Sequence, residues 1–387
     1  MKVLQATCSN RSFPPDAGGY QRTHGLVMSF PALGSQVDRY CCAGPIASYY
    51  RDREIHSTEI HPQDGITEYR DYRVVYDLPK AGSFLGLGGV LWGALLPWIS
   101  SAKLKNSANQ ADIVLGDDPY MAKFLAEAVD TPVIYTSHNV EYERYRTSTD
   151  AIYSSYTGSK MKEIEEEAVK KSTAVVCTTE DDKEEYEPLN DDLFVIPNGI
   201  DKYKITSKTD THSREEFGIP KDVTLSVFLG SDYAPNVEAA EWLCENWSEL
   251  DESYHLLIIG NVGSRVQPSD PRIHTIGFVE DLMSALSLGD MAINPVISGG
   301  GSNVKIMDYF AADLPVVSTE FGVQGFDVSH KSEALVGDRG KILDYITEIS
   351  ENENLRRKLS ENVISKREEY TWQSLSEELH TKLRRYL

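Results

Sequence analysis

Apolar residues in this chain gather in short runs. MKVLQAT, ADIVLGD, PVIYTSH, TAVVCTT and LFVIPNG lie in the first half, and VTLSVFLG, HLLIIG, IHTIGF, DMAINPV and PVVST in the second. The runs are aliphatic or β-branched almost throughout rather than alternating, as in strands covered on both faces of a parallel sheet. Longer stretches with apolar positions three and four apart lie between them and read as helices. The series passes once, pauses at the polar, turn-rich stretch of residues 197–221, and passes again. The pattern predicts an α/β protein of two doubly wound domains, residues 1–197 and 198–371. From Ile346 onward the chain reads as helix, and Trp372, Leu375, Leu379, Leu383 and Leu387 form one apolar stripe. The last helix, about 372–387, is expected to pack back on the first domain.

One segment departs from this rhythm. GSFLGLGGVLWGALLPWIS, residues 82–100, carries no charge over 19 residues, near the roughly 20 apolar residues of a membrane span. Five glycines and Pro97 interrupt it, and Lys103 and Lys105 follow. Three readings stand: a buried helix beside a mobile loop, a surface helix dipping into a lipid interface, and a true span, which would break an otherwise soluble series.

Charge narrows the partners. The formal net charge of −22 repels phosphate backbones, so no nucleic-acid partner is expected. Five cysteines (Cys8, Cys41, Cys42, Cys177, Cys244) form no C-x-x-C, and MKVLQATCSN reads as a strand rather than a leader. Both point to a reducing, cytoplasmic setting. There is no D-x-D and no His/Cys/Asp cluster at ligand spacing, so no metal or other cofactor is expected.

The chemistry concentrates in SGGGSNVKIMDYFAADLPVVS, residues 298–318. A strand, DMAINPV, runs into a glycine turn and then a helix, and ligands of open α/β sheets bind outside the carboxyl ends of strands. Ser302 or Asn303 is the natural helix cap. Glycines let backbone amides approach a ligand, and a helix N-terminus favours phosphate. Lys305 and Asp308 share a helix face about 4.5 Å apart along the axis. The cation sits near the phosphate end; the carboxylate sits one turn deeper, where it can accept hydrogen bonds from sugar hydroxyls. A plain glycine turn with a surface Lys–Asp pair is the competing reading. A second glycine turn, PPDAGGYQRTHG at 14–25, presents Gly18 and Gly19 after the first strand. Neither turn is a G-x-G-x-x-G or Walker fingerprint, which argues against a dehydrogenase and an ATPase. Two such loops on two domains point to a ligand held in the cleft between them.

IPNGID (196–201), FLGSDYAPNVEAAEWL (228–243), GFVEDLMSALSLGDMAINPV (277–296) and GGGSNVKIMDYFAADLPVVSTEFGVQGF (299–326) together resemble the retaining family-four glycosyltransferases. The resemblance implies the GT-B fold, two Rossmann-like domains facing across a cleft. It implies that Gly300, Gly301, Ser302 and Lys305 hold the donor diphosphate, with Gly18 and Gly19 touching it from the first domain. Asp308 stands where the family places a ribose-binding Glu, one methylene longer. Gly300 stands where many members carry a sugar-contacting Glu. FLGSDYAPN lacks the cation many members have there, leaving Lys305 as the close cation. TSHNVEYERYR (136–146) resembles the acceptor-facing strand end and nominates His138, with Asn139 and Glu141. Asp117 and Asp118, in LGDDPY, line the cleft or cap the next helix.

The implied reaction moves a sugar from a UDP- or GDP-linked donor to a saccharide or lipid-linked acceptor, with retention and without metal. Negative charge gathers on the departing diphosphate, where amides and Lys305 meet it; no protein nucleophile is named. Surface glycan, polysaccharide or glycoprotein synthesis is the implied setting, at the inner membrane face if 82–100 touches lipid. Domain closure is expected of such an enzyme. A nucleotide-sugar 2-epimerase of the same fold and a non-catalytic nucleotide-sugar binder are the alternatives. A glycosidase would need two placed acids, and none are nominated.

Overall fold

The repeated strand–helix rhythm becomes two sheets in the computed structural model, which describes residues 1–9, 13, 18–52, 56–83, 86–143, 154–206, 211–299 and 302–387. Contacts divide the chain into two units, Met1–Pro197 with Trp372–Leu387, and Asn198–Thr371.

The first unit carries β1 (Lys2–Thr7), β2 (Gln36–Ala43), β3 (Thr58–Gln63), β4 (Ile66–Tyr72), β5 (Ile113–Gly116), β6 (Val133–Thr136), β7 (Ala174–Cys177) and β8 (Leu193–Val195). They form an eight-stranded sheet ordered β3-β4-β2-β1-β5-β6-β7-β8, parallel except for the β3 edge. Three of these strands fall outside the apolar runs. β2 and β4 carry buried Arg39, Glu68, Arg70 and Asp71. These charges interrupt the apolar pattern, and pairing makes their burial tolerable: Arg39 Nε donates to Gln5 Oε1 at 2.9 Å, and Arg70 Nε to Glu68 Oε1 at 2.9 Å.

The chain's last helix, Trp372–Leu383, lies on this unit. Its Trp372, Leu375, Leu379 and Leu383 pack with Leu26, Val27 and Phe30, each fully buried aliphatic side chain contributing about 1.5–3 kcal/mol. Gly25 permits the approach, since a Cβ there would lie 2.1 Å from the Trp372 ring. Leu387, read as part of the stripe, is 64% exposed. The helix has already ended at Leu383, and a 3₁₀ turn over Arg384–Tyr386 carries Leu387 off the apolar face.

The second unit holds β9 (Thr224–Leu229), β10 (Tyr254–Ile259), β11 (Ile273–Ile276), β12 (Met291–Asn294), β13 (Val316–Thr319) and β14 (Ala334–Gly337). All are parallel, in the order β11-β10-β9-β12-β13-β14. This is the doubly wound order whose direction reverses between its first and fourth strands, and the crevice beyond that reversal binds ligands. Here it lies between β9 and β12. In the first unit the corresponding reversal lies between β1 and β5.

Among the described residues of 82–100 no helix reaches spanning length. Their helix is Gly88–Ile99, 12 residues, about 18 Å at 1.5 Å per residue against a hydrocarbon core of about 30 Å. Among the described residues no helix is long and apolar enough to cross a membrane. Trp92 and Leu96 are buried, whereas Trp98 is 87% exposed.

Candidate active site

In the second unit, β12 ends at Asn294 and leads to Gly299, whose φ of +142° suits glycine. Gly300 and Gly301 lie outside the described residues. Ser302 and Asn303 do not cap the next helix. It runs Lys305–Ala311 with Val304 at the N-cap and no side-chain cap bond. Both polar side chains are drawn elsewhere: Ser302 Oγ accepts from Asn198 Nδ2 at 2.8 Å, and Asn303 Nδ2 donates to the Phe321 carbonyl at 2.7 Å. The loop is thus tied to IPNGID on one side and to the segment after β13 on the other.

Lys305 turns to the reversal point. Its Nζ donates to Asn236 Oδ1 at 2.6 Å and lies 4.7 Å from the centre of the Phe228 ring. Phe228 belongs to β9, and Asn236 to the helix Ala234–Asn246 that follows it. Burial pulls the Lys305 ammonium down to about 7, because a cation loses hydration in an apolar setting. One turn on, Tyr309 accepts from the Leu229 amide at 2.8 Å and donates to the Ile293 carbonyl at 3.2 Å. That hydroxyl ties the helix to β9 and β12 and fixes where Lys305 emerges. Asp308, expected to be open to ribose, is ion-paired with Lys204 at 2.7 Å. Lys204 lies in the polar stretch between the two strand series, 104 residues away in sequence. FLGSDYAPN contains no cation, yet Arg265, from beyond β10, pairs with its Asp232 at 2.9 Å. That ion pair is neutral, so Lys305 remains the cation that faces Asn236 and Phe228.

In the first unit, Gly18 and Gly19 open the helix Gly18–Gly25 after β1. A Cβ on Gly19 would lie 4.0 Å from His138 Cε1, so the turn and the β6 end meet. Arg22, three residues on, is buried and anchors this edge. It donates to the carbonyls of Ser137 at 3.0 Å, Ile196 at 2.9 Å and Pro197 at 3.2 Å. Burial pulls its guanidinium down to about 10. Asn139 Oδ1 is buried with no hydrogen-bond partner among the described residues. Glu141 and Tyr142 donate their amides, each at 2.9 Å, to Glu165, which also accepts from Tyr186 at 2.7 Å. Burial pushes that carboxyl up to about 7. Of the pair after β5, Asp118 caps the helix Pro119–Ala128 through Met121 N at 2.9 Å and is pushed up to about 7 by burial. Asp117 is buried against Thr136 at 2.6 Å. Neither aspartate presents an open carboxylate at this edge.

Sequence reasoning passed over Asn236, Glu165 and Arg22. Asn236 sits inside a quoted motif and Arg22 inside the glycine loop, so position was the available signal. Glu165 lies within EIEEEAVKK, which reads as a solvated face. Among the described residues no group of three His, Cys, Asp or Glu side chains is arranged to hold a metal.

Two family models match the chain in order, Glycosyltransferase Family 4 over residues 19–203 and Glycosyl transferases group 1 over residues 224–352. No curated protein matches. Among solved structures, HepE of Anabaena in complex with UDP superposes with a TM-score of 0.68 at 12% identity, covering 100% of both chains. Sucrose-phosphate synthase from Thermosynechococcus elongatus gives 0.68 at 13%, covering 100% of this chain and 99% of that one. A glycosyltransferase from Rickettsia africae gives 0.62 at 16%, covering 100% and 97%. Identities this low speak for the fold, which is the GT-B arrangement of two Rossmann-like domains.

Proposed function

We propose, from the premise that the chain belongs to the family-four, group 1 glycosyltransferases, that it transfers a sugar from a UDP-linked donor to a hydroxyl acceptor with retention of anomeric configuration. The observation that carries this reading is Lys305 Nζ, held 2.6 Å from Asn236 at the reversal point of the second sheet. A cation there suits a diphosphate, and little else on that edge explains burying one. HepE complexes with UDP and with UDP-glucose support UDP ahead of GDP as the donor base.

In this reading the diphosphate rests against Lys305, the hydroxyl of Ser302 and the amides of the glycine loop through Gly300 and Gly301. Asp308 keeps Lys204 on one oxygen and offers the other to the ribose. As the bond from the anomeric carbon to the phosphate oxygen breaks, charge on the leaving diphosphate grows and the ammonium stabilises it. The acceptor oxygen attacks the same face, and its proton passes to the departing phosphate oxygen. No metal is required in this scheme. His138 donates to the acceptor, Asn139 Oδ1 accepts from a second hydroxyl, and Glu165 holds the Glu141–Tyr142 backbone beneath them. The acceptor is a saccharide, free or lipid-linked, in surface glycan, polysaccharide or glycoprotein assembly. The exposed Trp98, Leu78 and Val74 favour the lipid-linked form and a peripheral membrane contact.

The test offers the full chain UDP-, GDP- and ADP-sugars with saccharide and lipid-linked acceptors, and measures free nucleoside diphosphate and the anomeric signal of the product. Acceptor-dependent UDP release with a retained product is expected. Sugar isomerisation without net transfer indicates the epimerase, and binding without either indicates a binder; each overturns the reading.

A further inference from the structure

Asn236 uses both ends of its amide. Nδ2 donates to the Ser231 carbonyl at 3.3 Å and to Ser231 Oγ at 3.2 Å, and Oδ1 accepts from Lys305 at 2.6 Å. An ammonium has no acceptor, so Oδ1 is the end that faces it. The side chain is buried, and the residue enters from the helix after β9, opposite the helix that bears Lys305. We propose that Asn236 is the positioning residue of the donor site: a neutral acceptor that holds Lys305 in its donating form without cancelling its charge, leaving that charge for a diphosphate.

The inference rests on the donor-site reading above and deepens it. A carboxylate at position 236 would hold the ammonium more tightly but form an internal ion pair that an incoming diphosphate must break. An apolar residue would leave the amine unsupported in an apolar setting, where burial already pulls it down to about 7. The amide lies between these extremes. Three carboxylates of the surrounding elements pair elsewhere. Asp232, between β9 and the Asn236 helix, pairs with Arg265. Asp308, on the Lys305 helix, pairs with Lys204, and Glu238, on the Asn236 helix, pairs with Arg339. The face from β9 is the Phe228 ring.

Calorimetric titration of the full chain with UDP from pH 6 to 9 tests this, using Asn236→Leu and Asn236→Asp in wild-type and Lys305→Met backgrounds, with thermal unfolding as the fold control. Asn236→Leu is expected to weaken UDP about tenfold near neutral pH, a coupling typical of contacting residues, and to move the alkaline loss of binding to lower pH. Asn236→Asp is expected to weaken UDP as well but to move that loss to higher pH. In the Lys305→Met background both substitutions should change the UDP Kd less than about twofold. Equal losses in both backgrounds, or an alkaline limb that neither variant moves, overturn the proposal. Asn236→Asp keeps the volume and carries the test should Asn236→Leu fail to fold. If Lys305→Met itself binds UDP as wild type does at every pH, the donor-site reading falls. If Lys305→Met loses UDP while both Asn236 variants retain it unchanged, this proposal alone falls.

Discussion

At the edge of the first sheet, Asp118 and Glu165 are buried carboxyls pushed up to about 7, and Asp117 is buried beside them. Backbone amides and hydroxyls donate to Asp118 and Glu165, and Thr136 and Gln5 donate to Asp117. At the edge of the second sheet, Lys305 lies against Phe228 and Asn236 and is pulled down to about 7. Burial shifts both sets toward neutrality but from opposite sides, because it penalises whichever form is charged. The first edge becomes a lattice of hydrogen-bonding groups with little charge, suited to hydroxyls. The second becomes one under-solvated cation, suited to an anion that restores its charge on binding. The proposed transfer calls on both chemistries, hydroxyl recognition for an acceptor and positive charge for a leaving diphosphate.

The comparison breaks most sharply at Lys305. Lys305→Ala should cut turnover by about 100- to 1,000-fold, the scale of removing one preorganised donor from a developing oxyanion, with an unchanged circular dichroism spectrum. Full activity would mean that the second edge meets no diphosphate. His138→Ala should cost about 10- to 100-fold in kcat with the acceptor, in the range of a lost positioned hydrogen-bonding group, and leave the UDP Kd unaltered. A weaker UDP Kd would move His138 from the acceptor to the donor.

Most of the frame was legible because ten strands read as uninterrupted apolar runs, and such runs need no tertiary context. The strands that did not read this way are instructive. β2 holds Arg39 in its middle, and Glu68 and Gln5, brought by β4 and β1, together with the His24 carbonyl explain how that charge is buried. Local pattern cannot show a partner 29 or 34 residues away. The same limit governs the site. Lys305 was legible from its glycine turn, but Asn236 becomes its partner only when β9 and β12 lie side by side. Glu165 sits among charged neighbours that face water, and its burial comes from Tyr135, Tyr186 and the backbone after β6. Asp308 and Lys204 are 104 residues apart, and nothing local announces that the carboxylate is already paired.

The opposite shifts also predict opposite pH dependences of stability. Glu165 has a folded pKa raised above its unfolded value near 4.3. It therefore stabilises the fold fully below that pH, and the contribution is lost as pH rises through about 7. Lys305 is a base with a depressed folded pKa, so its burial costs least at high pH and stability from this group rises between about 7 and 10.4. Glu165→Gln should flatten the acid-side slope of urea-unfolding stability by on the order of 2 kcal/mol between pH 4.5 and 7. Lys305→Met should flatten the alkaline side instead. The same slope change from both variants would refute the contrast between the two edges.

The smallest expected effect sharpens the first edge alone. Trp98 ends the uncharged helix at 87% exposure, with Leu78 at 60% and Val74 at 70% on the preceding segment. None of these side chains supports the core, so Trp98→Ser with Leu78→Ser should change unfolding free energy by no more than about 0.5 kcal/mol. Aromatic and aliphatic side chains gain by entering a lipid interface, so liposome co-sedimentation and turnover of a lipid-linked acceptor should both fall several-fold. Turnover of a free saccharide should stay as in wild type. The two acceptors separate the possibilities. Equal loss on both would place these residues in the fold of the first unit, and no loss on either would leave the exposed helix without a part in acceptor choice.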